Sequence, residues 1–213
     1  MAGRRREGRP TLTTNHPASD GAREPAGRAD SPPPLGRSAL RGAAGFAAAS
    51  LLVFATVAFA ERWMYARLGL WGAYLAWTAL FVVAGGAALA PLAGGRWRGP
   101  KFFLLFGLAF FAYAVGWVGA YFALRGAAGE WAGALAGSLS MGVVLAAGFG
   151  AVRRAPLLSA ALLASHTAGY FLGSALNDLL GGRAGMLTWG GLYGLCFGAG
   201  LGAALHLAQA RRR

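Results

Sequence analysis

Six stretches of this chain, approximately 40–60, 70–93, 102–124, 129–151, 155–177 and 185–208, carry no Asp, Glu, Lys or Arg near their centres. Each runs for about 20 residues or slightly more, and a helix of that length is ~30 Å long, which matches the hydrocarbon core of a bilayer. The runs are continuous rather than alternating, so they read as helices and not as strands of a barrel. Only 13% of residues are charged, against about 25% in a soluble domain, too few to cover a soluble surface. The fold expected is an all-α integral membrane protein, a six-transmembrane-helix bundle over 39–210. A disordered tail, 1–38, precedes it and a basic cytoplasmic end, 211–213, follows.

Orientation follows from the basic residues, 19 of 20 being arginine. With the N-terminus in the cytoplasm, sixteen lie in cytoplasmic segments: the tail to Arg41, Arg96 to Lys101, Arg153 and Arg154, and Arg211 to Arg213. Four lie outside: Arg62, Arg67, Arg125 and Arg183. Counting only charges close to a span keeps the bias, so the positive-inside rule places both termini in the cytoplasm. The membrane thus accounts for the net charge of +13, and nucleic acid is not an expected partner. Trp63, Trp71, Trp97, Trp131 and Trp189 fall near block ends, where amphipathic rings favour the headgroup zone. Residues 1–38 have almost no large apolar side chains and cannot offset their ordering entropy, hence the expected disorder. Ala58 and Ala60 before Glu61 resemble a signal-peptidase site, but the long approach and long apolar core set this block apart from a signal peptide. The Ala-, Gly- and Arg-rich composition points to GC-rich coding and a bacterial inner membrane.

In "WGGLYGLCFGAGLGAALH", residues 189–206, glycine recurs at 190, 194, 198 and 202. In a soluble helix each would cost about 1 kcal/mol relative to alanine. In lipid, helices associate by close packing, and small residues let the backbones approach. Gly190, Gly194, Gly198 and Gly202 therefore read as a packing face. The fourth block carries Gly129, Gly133 and Gly137, continued by Ser138, Gly142 and Ala146, and the fifth carries Ala161, Ser165, Gly169 and Gly173. Blocks four to six are expected to pack on one another as a tight sub-bundle. The third block has instead one aromatic stripe, Phe103, Phe106, Phe110, Tyr113, Trp117 and Tyr121. Such a stripe suits filling glycine grooves, facing lipid, or walling a site for an apolar ligand such as a quinone, pigment or lipid tail.

Ionisable groups inside a membrane are costly and mark function. Glu61, Glu130 and Asp178 fall at the outer edge beside Arg62, Arg125 and Arg183, where pairing and the helix dipole account for them. Glu130, Asn177 and Asp178 form a candidate outer-rim polar cluster. His166, in "LLASHTAGYFLGS", lies near the centre of the fifth block. Depth matching sets it level with Tyr113, Ser138 or Ser140, and Cys196, and these five residues are the candidate ligand-binding set. His206 is roughly 15 Å away in depth, too far to share a haem iron with His166. With a single cysteine, no disulfide and no metal site is expected, and no cofactor is evident.

His166, Gly169 and Gly173 spell H-x-x-G-x-x-x-G, which resembles the histidine helix of rhomboid intramembrane serine proteases. "GSLSMG" in the preceding block is similar to that family's G-x-S-G nucleophile motif. The resemblance covers about a dozen residues and implies a serine activated by His166. Three features depart from it. Ser138 and Met141 stand where the motif has glycines around Ser140. The two helices are adjacent and antiparallel, where the family has a further helix between them. The family's histidine-and-asparagine motif is missing from "WGAYLAWTALFVVAGG". H-x-x-G-x-x-x-G is therefore read as a packing pattern.

No nucleotide-binding, zinc or hydrolase motif meets its structural context, and the loops are too short for a soluble catalytic domain. The first functional reading is a non-catalytic assembly or scaffold component of the bilayer. It packs as a homo-oligomer or on a membrane partner subunit and holds an apolar or lipid-like ligand. The second is a small-solute transporter or channel with a midplane site around His166, although the intramembrane carboxylate and half-helices of such proteins are not visible. The third is an intramembrane lipid-acting enzyme or hydrolase using His166 with Ser138 or Ser140.

Overall fold

The computed structural model describes residues 33–97 and 99–210, and these form an all-helical bundle. Most of the expected tail, residues 1–32, and the basic end 211–213 lie outside the described residues. Five helices are long and apolar enough to cross a membrane: α1 (Leu35–Leu89), α2 (Pro100–Leu124), α3 (Gly126–Gly148), α4 (Ala155–Leu180) and α5 (Gly182–Gln209).

The first two of the six expected blocks run into one another as α1, but α1 is not straight. Gly69 sits at φ 67°, ψ −180°, a backbone conformation essentially confined to glycine. The element doubles back there. The Phe46 and Phe81 rings are 5.7 Å apart, the Trp77 indole N–H donates to Thr56 Oγ1 at 3.1 Å, and a Cβ at Gly45 would lie 3.0 Å from Ala88 Cβ. A straight helix would hold these pairs tens of ångströms apart. Two antiparallel arms, 35–68 and 70–89, bring them together.

The first arm begins at Leu35, inside the segment expected to be tail. Ser38 donates from Oγ to the Pro33 carbonyl at 3.2 Å and is buried where Gly202 of α5 leaves room for its backbone. Packing on α5, rather than local propensity, draws these residues into the helix.

The expected sub-bundle forms in part: α4 packs on both α3 and α5, whereas α3 and α5 scarcely touch. The α5 row faces the first arm of α1. A Cβ at Gly190 would fall 2.5 Å from Phe54 Cβ, and one at Gly194 would fall 2.6 Å from Ala47 Cα; Gly198 opposes the Gly42 backbone and Gly202 that of Ser38. Ser50 Oγ donates across the same seam to the Gly190 carbonyl at 2.8 Å. Gly129, Gly133 and Gly137 of α3 instead receive Tyr121, Trp117 and Tyr113 of α2, while Gly169 and Gly173 of α4 receive Tyr193, Cys196 and Trp189 of α5. A groove lined by glycine accepts a neighbouring backbone or a flat ring equally well, and here both are used.

The first and last described residues come together at one end of the bundle. His206 Nδ1 donates to the Pro33 carbonyl at 2.8 Å, and the Gln209 carboxamide accepts from the Gly94 N–H at 2.6 Å and donates to the Leu92 carbonyl at 3.0 Å. The turns at Gly69, Arg125–Gly126 and Gly181–Gly182 lie at the other end.

Candidate functional site

The inward stripe of α4 is Leu158, Ser159, Leu162, His166, Gly169 and Gly173, so helical periodicity alone turns His166 into the bundle. It is fully buried. From α2, Tyr113 brings its hydroxyl to 2.9 Å from His166 Nδ1. From α5, Tyr193 brings its own to 2.9 Å from the Tyr113 hydroxyl. The imidazole stacks on Tyr170, centroids 5.5 Å apart and planes at 19°, and meets the Phe197 ring edge-on at 5.6 Å.

Proton accounting favours one direction for this chain. If Tyr193 donates to Tyr113 and Tyr113 donates to Nδ1, both hydroxyl protons are used and Nε2 carries the imidazole proton. The opposite direction leaves both the Tyr193 proton and the Nε2 lone pair without partners. Buried polar groups are overwhelmingly paired, so the first arrangement is preferred. His166 Nε2–H is then a buried donor, and it has no acceptor.

Beside the triad lies a cavity of about 220 Å³, bounded by both arms of α1 and by α2, α4 and α5. Phe54, Trp77 and Phe81 of α1, Trp117 of α2 and Tyr170 of α4 form much of its wall together with the triad itself, and among the described residues no Asp, Glu, Lys or Arg lines it. Trp117 Nε1–H is a second buried donor without an acceptor. The Trp77 indole is satisfied by Thr56, and the Tyr170 hydroxyl reaches Glu130 at 3.5 Å.

The other candidate residues fall in different places. Ser138 is fully buried and its Oγ has no partner. The α3–α4 register, set by Gly142 against Ser159 and Glu130 against Tyr170, puts Ser138 level with the turn from Leu162 to His166. Ser140 Oγ turns back to donate to the Ala136 carbonyl at 2.8 Å. Neither serine is hydrogen-bonded to His166. Cys196 is a half-buried free thiol packed against Gly169, and Tyr193, one turn earlier, occupies the layer expected for it. That tyrosine is the functional residue the sequence reading misses, and its signal was a lone phenol in a helix of small residues. The outer-rim trio does not assemble around one point. Glu130 takes the Tyr170 hydroxyl, the Asn177 carboxamide oxygen lies against Gly185 of α5, and Asp178 is exposed. Arg125 and Arg183 sit over the Phe122 and Phe59 rings at 5.3 and 4.7 Å. Among the described residues, no three His, Cys, Asp or Glu side chains are grouped to hold a metal ion.

No family model, curated protein or solved structure matches the chain, so the chemistry of the site is read from these residues alone.

Proposed function

We propose that this chain is a non-catalytic multi-pass membrane protein that holds a neutral, apolar molecule by its hydrogen-bond-accepting head in the aromatic cavity. The observation that carries this reading is the pair of buried, partnerless donors, His166 Nε2–H and Trp117 Nε1–H, on residues that line one uncharged cavity. Each buried donor left unpaired costs about 1–3 kcal/mol, and a ligand carbonyl between them recovers that. An apolar cavity of roughly 150 Å³ accepts a benzene ring. The 220 Å³ here suits one ring-sized head, with any longer tail running out to lipid.

Six membrane spans with both termini in the cytoplasm of a bacterial inner membrane complete the reading. The reversal at Gly69 makes α1 two passes, the second of about 20 residues, or ~30 Å. Arg96, Arg153 and Arg154 on the connections and Lys101 in the first turn of α2 lie at the end shared with Pro33 and Gln209, as the positive-inside rule asks. The glycine rows serve as close-packing faces within the bundle, and a second copy or a partner subunit would meet its exposed apolar surface in the bilayer.

Native mass spectrometry of protein extracted gently from its own membrane tests the ligand. The expected result is a reproducible neutral small molecule on the wild type, absent from His166→Phe and diminished on Trp117→Phe, with both variants folded by circular dichroism. A protein-only mass for the wild type would return the chain to a purely structural role.

A further inference from the structure

The end of the bundle that holds Pro33 and Gln209 carries a second and larger cavity, of about 820 Å³, remote from the aromatic one. Arg96, Arg153 and Arg154 line it with Trp97, Phe149 and Gln209, and no Asp or Glu is among its described lining residues. Two of the arginines are anchored. Arg96 and Trp97 both donate to the Gly148 carbonyl at the end of α3, Trp97 Nε1 at 3.0 Å. Arg154 Nη1 donates to the carbonyls of Leu207 and Ala210 at the end of α5, the second at 2.7 Å. A guanidinium has five N–H donors, so both keep several free for a further acceptor. Capping of helix C-termini accounts for Arg96 and Arg154. It accounts for neither Arg153 nor the cavity. Arg153 is exposed on the single turn Val152–Arg154 that leads directly into α4, at the positive end of that helix's dipole.

We propose that this cavity binds a phosphate-bearing anion, either the headgroup of an anionic phospholipid or a free phosphate. Three guanidinium groups without a carboxylate among them match phosphate oxygens in number, sign and fork geometry. Basic pockets between transmembrane helices at the cytoplasmic surface suit such headgroups. Trp97 and Phe149, centroids 6.1 Å apart, add an apolar wall beside the charged one, and the volume exceeds what an inorganic phosphate needs, so the lipid is the favoured source.

The full chain in nanodiscs of phosphatidylcholine, with and without a minor fraction of phosphatidylglycerol, provides the test. Native mass spectrometry should find phosphatidylglycerol retained in preference to phosphatidylcholine on the wild type and on Arg153→Lys. The preference should fall several-fold in Arg153→Gln, a substitution at an exposed side chain that holds no helix end. A second arm adds inorganic phosphate to the phosphatidylcholine discs and follows the unfolding temperature. A rise that Arg153→Gln removes would assign the site to the free anion. Equal retention of both lipids together with no response to phosphate overturns the proposal, and so does an Arg153→Gln protein that keeps the full preference for the anion.

Discussion

At mid-bundle, α1 meets α5 by one means, and α2, α4 and α5 meet by the opposite one. Along the first contact, Gly42, Gly194, Gly198 and Gly202 remove the side chains that would separate two backbones, and the helices close to contact distance. Along the second, rings do the packing: Tyr113 lies 5.6 Å from His166 and 5.3 Å from Phe197, and His166 lies 5.5 Å from Tyr193, centroid to centroid. Backbone against backbone leaves little space. Rigid rings of unequal shape do not tile, so the ring junction leaves a void with two N–H groups on its wall, those of His166 and Trp117, without acceptors. Glycine builds the frame here, and the aromatic residues build a place for something else to sit.

The sharpest way to break this contrast is to put a side chain into the frame. Gly198→Leu would drive its Cβ into the Gly42 backbone and the Phe46 side chain, neither of which can step aside without separating α1 from α5. The expected cost is at or above the ~3 kcal/mol upper end of ordinary overpacking, seen as loss of the folded species in fluorescence-detected gel filtration after heating. Gly119→Leu is the control, because a Cβ there meets nothing within 4 Å and should leave the melting temperature unchanged. Equal behaviour of the two variants would mean that the seam does not hold the bundle.

The membrane class and the depth of His166 are legible in the sequence because hydropathy and helical period are local properties. Tyr113 can be set beside His166 by counting turns, and their atoms lie 2.9 Å apart. The same counting lands on Cys196 where Tyr193 stands, an error of about one turn, or ~5 Å, that uncertain helix ends make unavoidable. The choice of partner for a glycine row is only partly legible. A row of glycines specifies that a face is flat and says little about which neighbour lies on it: the α4 row lies on α5, as expected, but the α5 row lies on the first arm of α1. The orphaned Nε2 and Nε1 protons are also invisible in sequence, since they emerge only when every donor has been matched to an acceptor in space.

Two variants sharpen the aromatic side of the comparison. Tyr113→Phe keeps the ring and deletes the hydroxyl that joins His166 to Tyr193, leaving both buried partners unsatisfied. The expected loss is about 1–3 kcal/mol, together with loss of the bound molecule, read by thermal unfolding and native mass spectrometry on the same sample. Ala114→Leu works the other way, because Ala114 lines the cavity and a larger side chain would occupy the void. Filling it should hold or raise stability by about 0.5–2 kcal/mol while expelling the ligand. If Ala114→Leu instead destabilises the protein and keeps its ligand, the cavity is not where the molecule binds.

The smallest effect is expected at the polar contact within the frame itself. Ser50 is fully buried, and its Oγ donates to the Gly190 carbonyl across the α1–α5 seam at 2.8 Å. That carbonyl already accepts within its own helix, so Ser50→Ala removes a second bond and leaves no donor stranded. Side-chain hydrogen bonds between membrane helices average about 0.6 kcal/mol when measured in double-mutant cycles. The change should therefore shift the melting temperature only slightly, far less than either Gly198→Leu or Tyr113→Phe. A loss of about 2 kcal/mol or more would mean that the seam depends on its polar contact as the ring junction does, and that close backbone packing is not what separates the two regions.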